Sequence, residues 1–197
     1  MQIERTAIVA KGAKIGKNTI IWHFAQVREN ATIGKNCIIS KGCYIDHDVK
    51  IGNNVKIQNN SSIYYKAIIE DGVFIGPHVI LTNDKVPRSL DKKGNLKKDR
   101  DWKAETTIVK EGASIGAGSV ILPGITIERY AMIGAGSVVT KNVLDHCLVY
   151  GNPATQKGYA CKCGQKIIKM VDEQKSKLVL ECNRCNSKTI IRKEDKK

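Results

Sequence analysis

The chain has 197 residues, room for one large domain or a large and a small one, and an aliphatic composition: 42% hydrophobic, only 5% aromatic, with 17 glycines. A peptide-sized scaffold and an aromatic-rich core are excluded. Thirty-three basic against 19 acidic residues give a net charge of +14, a surface that attracts polyanions such as phosphorylated small molecules, nucleic acid or an anionic membrane face without naming one.

At the N-terminus, MQIERTAIVAKGAK lacks the apolar stretch of a signal peptide. No later run approaches the ~18 apolar residues of a spanning helix, so a cytoplasmic protein is expected. From residue 3 the chain repeats every six residues. Stepping by six from Ile3 meets an aliphatic side chain fourteen times in succession, through Ile33 and Ile63 to Leu81. Four residues after each of the first thirteen stands a small or short β-branched one, as at Ala7, Thr19, Ala31, Cys43 and Val55. The register resumes at Val109 and runs to Val139. Neither a helical nor a strand period alone produces six, but short strands separated by tight corners do. Each sextet then forms one flat face, its aliphatic residue and small companion pointing inward, with Gly, Asn or Asp where the backbone turns. Three faces close a coil. The twenty sextets predict an all-β, three-sided parallel prism of just under seven coils, about 30 Å tall at roughly 4.8 Å per coil. Cys37, Cys43 and Cys147 occur singly and read as small buried side chains in a reducing compartment.

Residues 82–108 break the period, and a long loop inside a compact domain is either functional or disordered. Its 85–107 portion holds eight basic and four acidic residues. Trp102 is a candidate anchor against a prism face, the alternative being a floppy basic insertion. Residues 18 apart occupy one corner in successive coils. Counting back from Asn83 therefore gives Tyr65, His47, Glu29 and Lys11, while another corner carries His23, Lys41, Asn59 and Pro77, with His78 beside it. Asparagine also suits corners because it tolerates left-handed backbone angles, as expected for Asn18, Asn36, Asn53, Asn54, Asn59 and Asn60. The residues alone do not choose among His23, His47, His78 and Asn83 as a reactive group.

From Cys161 the period is gone. Cys161 and Cys163 flank one residue, 18 residues follow, and Cys182 and Cys185 close the pattern. Two thiolate pairs suit a tetrahedral zinc site, with 167–181 a hairpin between two knuckles, although the first pair is one residue tighter than usual. Free thiols are the alternative. The expected division is a prism over 1–158, its loop extruded at 85–107, and a small zinc-ribbon-like tail over 159–197. Only Tyr159 offers a base-stacking aromatic in that basic tail, so a structural cap on the open end of the prism is favoured over a nucleic-acid module.

The sextets resemble the hexapeptide-repeat acyltransferases, which fold as left-handed parallel β-helices and mostly act as homotrimers. Handedness and trimer follow from that resemblance, the usual crossover rule giving the opposite hand. The segments IWHF (21–24), KIQNNSSIYY (56–65), IEDGVFIGP (69–77), LTNDKVPRS (81–89), GASIGAGSVILPG (112–124) and GNPA (151–154) are similar to one branch, spanning about 1–158. That branch N-acetylates nucleotide-linked amino sugars, chiefly 3-amino sugars, for surface polysaccharide or glycan biosynthesis. The resemblance implies acetyl-CoA as co-substrate and Asn83 beside the reacting amine, its side-chain carbonyl aiming the lone pair at the thioester without a histidine base. Arg88 is then a candidate for a charge-assisted contact to a phosphate or sugar carboxylate. His23, Asn59 and Glu70 match positions near the sugar or nucleotide. Gly116, Ala117, Gly134 and Ala135 would leave backbone exposed to the pantetheine arm, with Lys141 near the cofactor's phosphates. Where the branch has a basic residue after GNPA, Thr155 stands, with Lys157 two positions on.

Three other readings compete. A carbonic-anhydrase relative of the same fold needs three converging histidines, and His23, His47, His78 and His146 lack the paired spacing. A hexapeptide acyltransferase on a different amine or hydroxyl and a non-catalytic nucleic-acid-binding prism are the remaining alternatives.

Overall fold

The computed structural model describes residues 1–174 and 176–192, with Arg192 as backbone only. Residues 175 and 193–197 of the expected tail segment lie outside the described residues. Two-residue strands recur every six positions and stack on strands 18 residues away, as in Gln2↔Ile20 and Ile3↔Ile21. Three parallel sheets result. The first face runs from Gln2–Ile3 through Phe74–Ile75 to Met132–Ile133 and Cys147–Gly151; the second from Ile8–Val9 to Val138–Val139; the third from Lys14–Ile15 to Thr126–Ile127. The structure is a β-solenoid with three edges, and its one helical turn among the described residues is the 3-10 segment Asp99–Asp101. No helix among the described residues is long and apolar enough to cross a membrane.

The interior is the predicted aliphatic stack. Ile21, Ile39, Ile45, Ile57, Ile63, Ile69, Ile75, Leu81, Ile115, Ile121, Ile127 and Ile133 are fully buried. Each such side chain contributes about 1.5–3 kcal/mol on leaving water. The first coil differs: Ile3 is 40% exposed because nothing stacks above it. Where the small companion is polar, its hydroxyl is used. Thr19 donates to the Gly34 carbonyl at 2.8 Å, Ser61 to Gly76 at 2.8 Å and Ser119 to Gly134 at 3.0 Å, tying each coil to the next.

Corners turn through left-handed residues at their third position, including Asn18, Asn36, Asn54 and Asn60, and also His78 and Lys66. Asn53 and Asn59, expected to do the same, precede the turning residue and keep ordinary angles. Asn83 occupies the second position of its corner and is not left-handed either, so the turn does not explain its presence.

Residues 82–107 leave the second edge without disturbing the stack, the register simply jumping to Ile68↔Ile108 and Ile80↔Val120. After the last full coil the pattern shortens to Met132↔Leu148. The chain then turns at Asn152-Pro153, a cis peptide, and Ala154–Ala160 returns antiparallel beneath Cys147–Gly151. Lys166–Ile167 adds one more strand to that sheet. Beyond it, Lys169–Glu173, Lys177–Glu181 and Lys188–Arg192 form an antiparallel sheet, so the expected hairpin gains a third strand. The tail thus extends the first face; the other two sheets end at Val138–Val139 and Thr126–Ile127.

Candidate functional site

The second edge carries Glu29, His47, Tyr65 and Asn83 one above the other, as the 18-residue spacing requires. The His47 ring stacks on Tyr65 with centroids 4.3 Å apart, and Asn83 Nδ2 donates to the Tyr65 carbonyl at 3.4 Å. That bond orients the amide, while Oδ1 makes no hydrogen bond among the described residues. His47 Nδ1 lies 2.6 Å from Asp48 Oδ2, and this contact holds the Asp48 carboxyl below the usual carboxylate range. Asp46 on the other side is committed elsewhere. It accepts from the His47 backbone N–H (2.8 Å), Tyr44 Oη (3.0 Å), Arg28 Nη1 (3.2 Å) and Tyr65 N (3.1 Å), bracing the edge above Asn83.

The extruded loop has internal hydrogen bonding. Its two ends are closed where Glu105 N donates to the Asn83 carbonyl at 2.8 Å and Thr107 Oγ1 to the Thr82 carbonyl at 3.3 Å. Lys66 Nζ caps the Ala104 carbonyl at 3.2 Å. Farther out, Leu90 and Leu96 pair antiparallel around a turn in which Asp91 Oδ1 accepts from Lys93 N (2.8 Å) and Asn95 N (2.9 Å). Between loop and edge lies an open cleft of about 500 Å³ lined by Asn83, Asp84, Pro87, Arg88, Lys97 and Trp102, among others. Half-buried Trp102 therefore lines the cleft. The exposed Arg88 guanidinium donates to the adjacent Pro87 carbonyl at 2.9 Å and has no ion-pair partner among the described residues. Of the expected substrate and catalytic residues, Asn83 and Arg88 share this cleft.

The others lie on different edges. His23 and Asn59 are exposed on the first edge, in line with Ala117 and Ala135 below. His23 is engaged locally, 2.9 Å from Thr6 Oγ1 and 3.4 Å from Glu4. Glu70 is on the third edge, paired with Lys110 at 3.2 Å and accepting from Glu111 N at 3.0 Å. Lys141 is exposed on the second edge, below Asn83. Gly116 and Gly134 are also required by packing, whatever lies along this first edge. A Cβ on Gly116 would fall 2.5 Å from Ala135 N, and one on Gly134 2.7 Å from Tyr150 Cβ, so stacking of successive coils demands glycine there. The glycines that leave open backbone on this edge are Gly118 and Gly136, both left-handed, where an added Cβ would meet nothing within 4 Å. Tyr65 is in the column counted back from Asn83, whereas Lys66 and Asp46 stand one position off that column and no spacing signals their support of the corner.

In the tail, the sulfurs of Cys161, Cys163, Cys182 and Cys185 lie within 4.8 Å of one another. They are the one such group of metal-type side chains among the described residues, and no histidines converge with them.

Comparison with known proteins places this geometry. A dTDP-3-amino-3,6-dideoxy-alpha-D-galactopyranose 3-N-acetyltransferase of Aneurinibacillus thermoaerophilus is 60% identical over 68 residues, 34% of this chain and 35% of that protein. A galactoside O-acetyltransferase of Lactococcus lactis subsp. lactis is 34% identical over 85 residues, 43% of this chain and 39% of the relative. The match to these curated relatives spans well under two thirds of their own length. The crystal structure of a point mutant of GDP-perosamine N-acetyl transferase from Caulobacter crescentus, in complex with CoA and GDP-perosamine, superposes with a TM-score of 0.51 at 22% identity. It covers 79% of this chain and 55% of that one, and it shows the shared fold. The six-repeat bacterial transferase hexapeptide family matches residues 6–47, 48–83 and 106–141, more than half of the chain on both sides of the loop. With that span of repeats built into stacked three-sided coils, the chain belongs to the bacterial transferase hexapeptide family, and its solenoid is the family's left-handed β-helix.

Proposed function

We propose that this protein transfers an acetyl group from acetyl-CoA to the amine of a nucleotide-linked amino sugar, most specifically a 3-amino sugar destined for surface polysaccharide or glycan. The observation that carries the reading is the oriented Asn83 amide: Nδ2 is held by the Tyr65 carbonyl in a cleft that also contains Arg88. The 60% identical stretch shared with a 3-amino-sugar N-acetyltransferase supports the acceptor class. Asn83 Oδ1 accepts a hydrogen bond from the neutral amine and aims its lone pair at the thioester carbon. The new C–N bond forms as the C–S bond breaks, and the proton lost by nitrogen leaves with the CoA thiolate. Catalysis is by positioning, an effect that accounts for several kcal/mol without an acid–base residue. Arg88 is the candidate for the sugar's phosphate or a sugar carboxylate, and His23, Asn59 and Glu70 for further contacts. The pantetheine arm is assigned to the first edge at Ala117, Gly118, Ala135 and Gly136, and Lys141 to its phosphates.

The working unit in this reading is a homotrimer in the cytoplasm. Outward-facing Ile20, Ile38 and Phe74 on the first face, and Ile8, Ile80, Val120 and Val138 on the second, offer apolar surface for neighbouring chains. None of the seven cysteines is joined in a disulfide, which suits a reducing compartment.

The test is to incubate the protein with acetyl-CoA and a panel of nucleotide-linked amino sugars and hydroxyl acceptors, following thiol release. Turnover with a 3-amino sugar is expected. Turnover confined to hydroxyl acceptors would overturn the acceptor class, and salt-sensitive nucleic-acid binding without any turnover would overturn the enzyme. Asn83→Ala is expected to lower kcat about 100-fold with little change in the KM for acetyl-CoA.

A further inference from the structure

The tail has too small a core to hold itself together. Its buried apolar cluster consists of Cys161, Ile167, Leu178, Leu180, Cys182 and Ile191, with Tyr159 packed against it. Units below about 40 residues ordinarily need a metal, disulfides or a partner to stay folded. Disulfides are not what the geometry offers: Cys161 and Cys185 sulfurs are 3.6 Å apart, as are those of Cys163 and Cys182. A bonded pair would sit at about 2.05 Å. Four thiolates at about 2.3 Å from a zinc ion at the centre of a tetrahedron are about 3.8 Å from one another. The observed spacing matches the second arrangement. Ser187 Oγ lies 3.2 Å from Cys161 Sγ and 3.0 Å from Cys185 Sγ, the position of a hydroxyl that steadies ligand thiolates.

We propose that Cys161, Cys163, Cys182 and Cys185 hold one zinc ion, and that this ion clasps the tail onto the base of the third edge. Sulfur fills all four tetrahedral positions, so no coordination position is open to water or substrate and the site is structural. It stands apart from the acetyl-transfer reading and does not depend on it. Four thiolates and one Zn²⁺ carry a net charge of about −2, which Lys162, Arg184 and Lys188, within or beside the two knuckles, offset.

The clasp is the contact between the first knuckle and the prism. Ala160, next to the first ligand, donates its N–H to the His146 carbonyl at 2.7 Å and accepts from the same residue's ring Nδ1 at 2.9 Å. Lys162, between the first two ligands, places Nζ 4.5 Å from the Tyr130 ring centre. Tyr130 in turn stacks on His146 at 5.3 Å, donates to Glu111 at 3.0 Å, and lies against Gly112, where a Cβ would fall 2.3 Å from its ring. Zinc thus fixes the knuckle that grips this stack. Loss of the ion leaves six buried side chains to hold the tail in place.

The full-length protein purified from cells tests this directly. About one zinc per chain is expected on treatment with a thiol-blocking mercurial and a colorimetric chelator, and cobalt exchange is expected to give the intense visible bands of a tetrahedral tetrathiolate. Cys182→Ser, and separately the exposed-ligand variant Cys163→Ser, are expected to lose the cobalt spectrum while the prism keeps its circular dichroism. Chelation of the unmutated protein is expected to open 161–192 to trypsin at least about tenfold faster while 1–150 resists. A metal content near zero with all four thiols titratable in the native protein, a mass lower by two disulfides, or full metal retention in both variants would overturn the site. An unchanged cleavage rate after chelation would overturn the clasp. None of these measurements involves acetyl transfer, so they stand whether or not the proposed reaction does.

Discussion

Gly116 and Gly118 stand two residues apart on one corner and answer to different constraints. Gly116 is pressed against the backbone of the next coil, so Gly116→Ala is expected to cost about 1–3 kcal/mol by forcing the coils apart. Gly118 has open space and a φ of +68°, the left-handed conformation that Asn60 adopts at the equivalent corner position higher in the stack. Gly118→Asn is therefore expected to stay within about 0.5 kcal/mol of the parent, asparagine being the side chain that best tolerates left-handed angles. Urea unfolding of the two variants checks the contrast, and equal losses would remove the stacking argument. Burial also separates the cysteines: it pushes the Cys43 and Cys147 thiols up to about 11. Their neutral form is the one the fold favours, so their contribution to stability is complete below pH 9 and is lost as pH rises toward 11. Both are expected to resist a disulfide exchange reagent at about pH 7.5 until the chain is unfolded. At this scale the sequence was legible where a residue's duty is local. An inward isoleucine is visible from its neighbours six residues away, whereas the demand on Gly116 comes from Ala135, a contact that exists only after the coils stack.

The loop shows the same limit one level up. Its boundaries were readable because the six-residue period stops at Leu81 and resumes at Val109, but its internal order was not. The Leu90–Leu96 pairing and the Asp91-centred turn depend on a DKKGN signal too short to outweigh the basic, polar composition around it. The tail divides likewise. Cysteine spacing predicted a hairpin between knuckles, while the third strand Lys188–Arg192 carries no motif of its own and is held by pairing with Lys177–Glu181. The loop's closure by Asn83 and Glu105 allows a clean test of its role. The prism on either side keeps its register across the insertion, so replacing 85–103 with a short glycine linker should leave unfolding free energy within about 1 kcal/mol of the parent, since shortening a closed loop changes its entropy only slowly. Acetyl transfer should be abolished, because Arg88 and Trp102 leave the cleft with it. Retained turnover would show that the prism alone holds the acceptor.

Across the whole molecule, the expected site residues are divided among three edges. Asn83 and Arg88 belong to the second, Ala117 and Ala135 to the first and Glu70 to the third. Corresponding positions on neighbouring edges are six residues and one whole face apart, roughly 20 Å along an extended chain, so one chain's Asn83 and a thioester lying along its own first edge are on different corners of the prism. A complete site on this reasoning takes its acceptor cleft from one protomer and its acyl-donor edge from the next, an arrangement a closed threefold ring repeats at every seam. Mixing two inactive proteins discriminates this from a site within one chain. Asn83→Ala removes the amide proposed to position the acceptor, and Ala135→Trp obstructs the proposed donor edge while leaving the core untouched, because Ala135 is exposed. Dissociated and reassembled at equal concentrations, the pair should regain about a quarter of parental turnover, since a seam is intact only when an Ala135-variant protomer supplies the cleft and an Asn83-variant protomer supplies the edge. A site contained in one chain predicts no recovery at any mixing ratio, because every chain then carries one lesion of its own.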